Sequence, residues 1–239
     1  MDSKNKIIFA LDFPSLEDAK PFIELLKDKI GIFKVGLELF IKEGKTVLDY
    51  INKNTENEIF LDLKLLDIPK TVERSVEIVR DFNVRFLTVH SHDQKTLEAA
   101  VKGADRKVDI LGVTVLTSLG QKDLNEQGMA EIYYESPLKL VKKRALLSFD
   151  CGCSGVICSP LEASFIKKEF GRNFLAVTPG IRMAHNLNDD QSRTSDPYTA
   201  VRNGADYIVV GRPIKNAQNP VLEAEKIASE IERGLKEKG

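Results

Sequence analysis

Residues 59–71 read IFLDLKLLDIPKT, and the organisation of the whole chain can be worked out from this stretch. Side chains alternate between two faces along a β-strand, so Phe60, Asp62 and Lys64 would share one face. The opposite face would carry four aliphatic residues: Ile59, Leu61, Leu63 and Leu65. A solvated edge strand also alternates, but it does not need four branched aliphatics backed by a helix. Because charged side chains are almost never fully buried without a partner, we predict a functional site on one face and a core on the other.

The composition is that of an ordinary globular protein. The chain has 239 residues, of which 42% are hydrophobic and 30% charged, enough to bury a full core. The formal net charge of -1, without a basic run, argues against a nucleic-acid-binding surface. The N-terminal residues enter a predicted strand at once, and no apolar run approaches the length of a membrane span. We therefore expect a cytoplasmic protein that binds neither nucleic acid nor membrane.

Eight short predicted strands alternate with about eight predicted helices. The strands are predicted at residues 6–11, 31–35, 58–64, 85–90, 108–116, 153–158, 174–178 and 206–210. Strands separated by helices pair in parallel through right-handed crossovers, and eight such units close into a (β/α)8 TIM barrel. An open doubly wound sheet is the competing fold, but Asp12-Phe13-Pro14 is not the glycine-rich turn of a dinucleotide site. Since the composition does not change along the chain, residues 1–239 are predicted to form a single barrel domain.

Capping residues mark several of the predicted helices. Ser15, followed by acidic residues, predicts the start of the first helix, and Pro69 predicts the start of the helix after the third strand. Residues 119–149 are predicted to hold a loop and a long helix, and residues 220–236 the closing helix.

Charged residues mark the C-terminal ends of the first three strands, where barrel enzymes carry their active sites. Asp12 ends the first strand, Lys34 lies in the second, and Asp62 and Lys64 lie in the third. The period of two turns these side chains toward one another from adjacent strands. Alternating charges can hold one another ionised through charge-assisted hydrogen bonds, so the four residues predict a catalytic array.

Two loops carry the features of a phosphate site. Residues 178–182, TPGIR, follow the seventh strand, and residues 211–214, GRPI, follow the eighth. Barrel enzymes commonly bind phosphate between these loops, where glycine admits backbone amides and arginine adds paired donors. The alternatives are a simple turn at GRPI and a surface charge at Arg182. The long polar connection at residues 183–195, which includes Gln191, has the length of a lid.

Three cysteines, Cys151, Cys153 and Cys158, lie close together in the sequence. A zinc site would need a fourth ligand and repeated short spacers, neither of which the sequence has. We interpret them as reduced cysteines packed on a buried strand, with a metal site as the alternative.

Residues 62–71, DLKLLDIPKT, resemble the D-x-K-x-x-D-I-P-x-T signature of the orotidine 5′-monophosphate decarboxylase family. Similar segments follow in matching order over nearly the whole chain: FALD, FKVG, VTVLTS, VTPGIR, DDQSR and VVGRPI. Related barrel enzymes that act on sugar phosphates share the shorter D-x-K-x-x-D pattern. Ile68, Pro69, Thr71 and Gln191 favour the orotidylate family.

The resemblance implies a reaction and a set of catalytic residues. The expected reaction is loss of CO2 from orotidine 5′-monophosphate to give UMP, the last step of de novo pyrimidine nucleotide synthesis, without cofactor or metal. Lys34, Asp62, Lys64 and Asp67 would form a catalytic tetrad, in which Lys64 stabilises and protonates a carbanion at pyrimidine C6. Asp67 would reach into the site of a second subunit, so the resemblance also implies a homodimer with shared active sites.

The resemblance further implies substrate-binding residues. They are Asp12 for the ribose, with Thr71 from the partner subunit; Thr117 and Ser118 for the pyrimidine; Gln191 as a bridge between base and phosphate; and Pro179, Arg182, Gly211 and Arg212 around the phosphate.

Two segments depart from the family pattern. After His90 the family often has a small residue and paired glycines, whereas this chain has residues 91–94, SHDQ, and the segment is one residue shorter. Met183 stands where the family commonly has proline. Both lie outside the catalytic set, and His90 is expected to be structural rather than catalytic. Two alternative functions stay open: a magnesium-dependent sugar-phosphate lyase, such as a 3-keto-gulonate 6-phosphate decarboxylase, and a non-catalytic nucleotide-binding protein.

Overall fold

The computed structural model describes residues 2–182 and 194–237. In this part of the chain eight parallel strands close into a barrel in chain order, because β1 pairs with both β2 and β8. The strands are β1 (Ile7–Ala10), β2 (Ile32–Gly36), β3 (Glu58–Leu65), β4 (Phe86–His90), β5 (Asp109–Val113), β6 (Gly155–Ile157), β7 (Leu175–Thr178) and β8 (Tyr207–Val210). The predicted (β/α)8 barrel is therefore confirmed.

At least one helix follows every strand. The helices are α1 (Leu16–Leu26), α2 (Leu37–Glu43), α3 (Lys45–Asn54), α4 (Pro69–Val79), α5 (Gln94–Ala104), α6 (Gln121–Glu126), α7 (Glu131–Tyr134), α8 (Pro137–Asp150), α9 (Ala163–Phe170), α10 (Pro197–Arg202), α11 (Arg212–Lys215) and α12 (Pro220–Lys236). Ser15 caps α1, since its Oγ accepts a hydrogen bond from the Asp18 N–H at 3.3 Å. Pro69 begins α4, as predicted from the tolerance of the first helical turn for proline.

The connection after β5 differs from the prediction. β5 ends at Val113 instead of residue 116, so the residues that follow leave the sheet at the C-terminal end of the barrel. The single long helix expected within residues 119–149 is replaced by α6, α7 and α8. Gly128 lies just beyond α6 with a φ of 70°, a conformation that interrupts a helix, and Pro137 starts α8.

An inner core fills the N-terminal half of the barrel interior. Its buried members are Ile8, Ile32, Phe60, Phe86, Leu111, Val177 and Tyr207. The rings of Phe60 and Phe86 meet edge to face at 6.0 Å, and those of Phe86 and Tyr207 at 5.4 Å. These packed rings form a floor beneath the polar residues at the other end of the strands.

An outer core lies between the strands and the helices. Ile59 and Leu61 are fully buried in it, and Leu63 and Leu65 pack against it. The aliphatic face predicted for β3 is therefore confirmed.

Within residues 2–182 and 194–237, no helix combines the length and the apolar composition that a membrane crossing requires.

Candidate active site

A cavity opens at the C-terminal ends of the strands, above the inner core. The residues that line it come from six of the strands or the loops behind them: Lys34, Phe60, Asp62, Lys64, Val113, Val115, Leu116, Thr117, Ser118, Ile157, Cys158, Pro179 and Val209. One side of the cavity is charged and the other is mainly apolar. Such a cavity can hold a flat ring against its apolar wall while charged groups face one edge of that ring.

Four charged residues, which we call the charged array, alternate in sign along the ends of β1, β2 and β3. Lys34 Nζ lies 3.2 Å from Asp12 Oδ1 and 3.6 Å from Asp62 Oδ2. Lys64 Nζ donates to Asp62 Oδ2 at 2.8 Å. The structure thus brings together the two acids and two lysines that the strand periodicity predicted.

Asp62 is the centre of the charged array. Burial by itself would raise the pKa of the Asp62 carboxyl, but the ammonium groups of Lys34 and Lys64 outweigh burial and hold this pKa below its usual value. Hydrogen bonds from Lys64 and Thr88 act in the same direction. Asp62 is therefore an anion at neutral pH, although only 8% of it is exposed.

The backbone of β3 is irregular at Lys64. Lys64 has a φ of 49°, which is uncommon for any residue except glycine, and the pairing register with β4 shifts between Leu61 and Leu65. The Lys64 N–H donates to the Thr88 hydroxyl at 2.9 Å instead of to a strand carbonyl. Residues in sparsely populated backbone conformations are found preferentially at functional sites, where the surrounding structure holds them in place.

Asp67 and Thr71 do not line the cavity of their own chain. Asp67 is exposed just beyond β3, where its carboxylate accepts a hydrogen bond from the Ile68 N–H at 2.6 Å. The side chains on either side are apolar yet open to solvent, with Leu66 53% and Ile68 68% exposed. Thr71 is exposed in the first turn of α4. Asp67 thus lies outside the cavity of its own chain, and its role in the site of a second subunit stays a prediction.

The predicted phosphate loops follow neighbouring strands, since β7 pairs with β8. Pro179 lines the cavity, and Gly211 lies so close to the charged array that an added Cβ would be 3.6 Å from an Asp12 oxygen. Arg212 is exposed at the start of α11. Arg182 is only 7% exposed, and its Nη1 donates to the Ile181 carbonyl at 2.8 Å. This burial does not match the alternative that Arg182 is a surface charge, and its predicted place near the phosphate stays a prediction.

Part of the predicted lid is missing from the described residues. Gln191, which was expected to bridge base and phosphate, lies outside them, as does Met183. The residues that flank this segment are joined to each other: the Arg182 N–H donates to the Ser195 carbonyl at 2.9 Å, and the Ser195 N–H donates to the Gly180 carbonyl at 3.1 Å.

A group of basic side chains beside the cavity was not anticipated from the sequence. The rings of His90 and His92 meet edge to face at 5.0 Å. Arg144, only 8% exposed, donates to the Thr114 carbonyl at 2.6 Å and lies 3.2 Å from His92 Nε2. Burial, and then the proximity of His92 and Arg144, lower the pKa of His90 to about 4. His90 is therefore neutral at pH 7.

The three cysteines hold free thiols beside β6, and Cys153 and Cys158 are buried. Burial raises the pKa of the Cys153 thiol to about 12, so this group is not a reactive thiolate. Cys158 is also part of the cavity wall.

Comparison with known proteins identifies relatives over almost the full chain. A family model described as orotidine 5′-phosphate decarboxylase / HUMPS family matches residues 5–227. The chain is 48% identical to the orotidine 5′-phosphate decarboxylase of Desulfosudis oleivorans, over 98% of this chain and 95% of that relative. It is 43% identical to the enzyme of the same name from Wolbachia pipientis subsp. Culex pipiens, over 95% of this chain and 99% of that one.

Solved structures agree with these sequence relatives. The crystal structure of orotidine 5′-phosphate decarboxylase from Lactobacillus acidophilus superposes with a TM-score of 0.82 at 32% identity, covering 94% of this chain and 98% of that one. The charged array, the cavity above the inner core and the two loops predicted to bind phosphate lie within the matched residues 5–227. The chain belongs to the orotidine 5′-phosphate decarboxylase / HUMPS family.

Proposed function

We propose that this protein, acting as one barrel domain, decarboxylates orotidine 5′-monophosphate to UMP and CO2, the last step of de novo pyrimidine nucleotide synthesis. The observation that carries the proposal is the charged array, in which two lysines and two acids alternate at the edge of a cavity with an apolar wall. The two relatives named above are both called orotidine 5′-phosphate decarboxylase, which is the activity proposed here.

In this proposal Lys64 is the acid that completes the reaction. The bond between pyrimidine C6 and the carboxylate carbon breaks, CO2 leaves, and the electron pair stays on C6. The Lys64 ammonium stabilises that charge and then transfers a proton to C6, forming the C–H bond of UMP. Its distance of 2.8 Å from Asp62 keeps the ammonium group at one place in the cavity.

Asp62 would lie beside the substrate carboxylate and repel it. At about 4 Å and an effective dielectric constant near 20, such repulsion amounts to roughly 4 kcal/mol. Enzymes lower barriers by up to about 23 kcal/mol, so repulsion alone is insufficient. We assign the larger share to the fixed arrangement of charges, and to phosphate binding energy used to hold the ring in place.

The remaining substrate contacts follow from the position of each residue. Thr117 and Ser118 line the cavity and would contact the pyrimidine, and Asp12 at the edge of the charged array would hold the ribose. Gly211 and Arg212 at the start of α11 would bind the phosphate.

The active site is further proposed to be shared between two copies of the chain. Asp67 and Thr71 are exposed and do not line their own cavity, and Leu66 and Ile68 present exposed apolar side chains beside them. A second copy placed on this surface would cover the apolar groups and receive Asp67 and Thr71 into its own site.

The activity is tested by incubating the protein with orotidine 5′-monophosphate and EDTA while following the loss of its absorbance and the formation of UMP. We expect full turnover with EDTA present. Turnover of a sugar phosphate that EDTA abolishes, without turnover of orotidylate, would identify the magnesium-dependent lyase instead. Binding of the nucleotide without turnover would identify a non-catalytic protein.

The shared site is tested by mixing two inactive variants, Asp67→Asn and Lys64→Ala. A mixed dimer would contain one intact site, so complete exchange should restore about a quarter of the wild-type activity in a two-fold symmetric dimer. Each variant alone is the control. No recovery after mass spectrometry has demonstrated subunit exchange would contradict a shared site.

A further inference from the structure

Thr88 occupies the middle of β4 and is fully buried. Phe86, two residues earlier on the same face, belongs to the inner core. Thr88 is therefore one level above Phe86, just as Asp62 is one level above Phe60 on the neighbouring strand. Its hydroxyl is consequently directed at the part of β3 that carries the catalytic charges.

The Thr88 hydroxyl makes two hydrogen bonds to β3, in opposite directions. It accepts from the Lys64 N–H at 2.9 Å and donates to Asp62 Oδ1 at 2.9 Å. A hydroxyl has a single proton to donate, so donation to Asp62 fixes its rotation and leaves its lone pairs for Lys64. One atom thus links the backbone of the lysine to the carboxylate of the acid.

This link lies where β3 departs from regular geometry. The register with β4 shifts between Leu61 and Leu65, and Lys64 has a φ of 49°. The Thr88 hydroxyl supplies the acceptor that the regular strand pairing does not provide to the Lys64 N–H. Without this hydrogen bond, the left-handed backbone conformation that directs the Lys64 side chain into the cavity would be less restrained.

The two oxygens of Asp62 have separate partners. Oδ1 accepts from Thr88, while Oδ2 lies 2.8 Å from Lys64 Nζ and 3.6 Å from Lys34 Nζ. The hydrogen bond from Thr88 therefore fixes the orientation of the carboxylate, with one oxygen facing the two lysines.

We propose that Thr88 is a positioning residue for the decarboxylation, whose hydroxyl fixes the Asp62 carboxylate and the Lys64 ammonium relative to each other. The inference rests on the proposed function, because it assigns to Thr88 the geometry of that same site. Thr88 does not itself line the cavity, so it acts through Asp62 and Lys64 and not on the substrate.

The test compares Thr88→Val, which keeps the shape but removes the hydroxyl, with Thr88→Ser, which keeps the hydroxyl. Thr114→Val is the matched control: Thr114 is also fully buried, but its hydroxyl donates to the Ile157 carbonyl at 2.8 Å. We expect kcat of Thr88→Val to fall by about 10- to 100-fold, with KM within about threefold of wild type. Thr88→Ser and Thr114→Val should keep kcat within about threefold of wild type.

Thermal melting of all variants separates positioning from folding. A kcat for Thr88→Val equal to that of Thr114→Val, or a Thr88→Ser variant as slow as Thr88→Val, would overturn the inference while leaving the proposed function intact. If Thr88→Val does not fold, Thr88→Ala is judged by the same criteria. A wild-type protein that does not act on orotidylate would instead contradict the proposed function.

Discussion

The inner core and the charged array are built from the same strands but are stabilised in different ways. In the inner core, Phe60, Phe86 and Tyr207 pack ring against ring at the N-terminal level of the barrel. In the charged array, Lys34 and Asp62 lie at the C-terminal level and compensate each other's charge. β3 contributes Phe60 to the first level and Asp62 to the second, only two residues later.

The comparison indicates that the inner core is the source of stability and the charged array is the source of activity. Burying apolar surface is favourable by about 25 cal/mol for each Å2. Moving an ion out of water costs several kcal/mol, and pairing often does no more than offset that cost. The charged array therefore depends on the packed floor below it, which in return keeps water away and strengthens the interactions among its charges. Substitutions in the charged array should mainly lower turnover, whereas substitutions in the inner core should mainly lower stability.

The largest effect is expected for Lys64→Ala. Loss of both the proton donor and the stabilising cation should lower kcat on the order of 10⁴-fold. The melting temperature should change little, since 29% of this side chain is exposed. Lys53→Ala, at an exposed position of α3, is the control. Near-normal turnover of orotidylate by Lys64→Ala would remove the basis for the proposed mechanism.

Phe60→Ala should show the reverse pattern. Phe60 is 1% exposed, and its truncation leaves a cavity beneath the charged array, which should lower the free energy of unfolding by about 3–5 kcal/mol. Urea denaturation measures this loss. Phe149→Ala is the control, because Phe149 is 45% exposed and should cost less. Equal losses for the two variants would mean that the inner core is not a main source of stability.

The smallest effect concerns His90, the last residue of β4 at the C-terminal end of the barrel. Its pKa of about 4 is below the usual 6.5, so between these values the unfolded chain binds more protons than the folded one. Stability contributed by neutral His90 is therefore present above pH 6.5 and lost as the pH falls toward 4. The lowered pKa of His92 acts in the same direction.

His90→Gln should consequently flatten the dependence of the unfolding free energy on pH between about 6.5 and 4, as measured by denaturation at several pH values. His92 is unchanged in this variant, so its lowered pKa provides part of the remaining slope. An unaltered slope would mean that His90 keeps its ordinary pKa in the folded protein.

Much of the charged array could be predicted because the period of a strand is short and regular. The alternation in residues 59–65 placed Asp62 and Lys64 opposite the aliphatic side chains, and barrel topology placed Asp12 and Lys34 beside them. Local sequence and the usual position of barrel active sites were sufficient for this prediction.

Contacts between distant residues could not be predicted in this way. Thr88 lies in FLTVH, where a β-branched residue is ordinary for a strand, and its role depends on the irregular pairing of β3 with β4. Arg144 lies in a helical segment far from His92 in sequence, and nothing local distinguishes it from a surface arginine. Residues 119–149 form three helices where one long helix was predicted, because Gly128 interrupts the chain after α6 and Pro137 starts α8.

The pairing of β1 with β8 has a consequence for how the protein is made. Asp12, Lys34, Asp62 and Lys64 all belong to the first part of the chain to leave the ribosome, whereas Tyr207, which completes the packed floor, lies in the last strand. Pairings between the two ends of a chain form late because they close the longest loops. We therefore expect the charges of the active site to stay hydrated during synthesis, and their mutual attraction to strengthen only when the final strand pairs with the first.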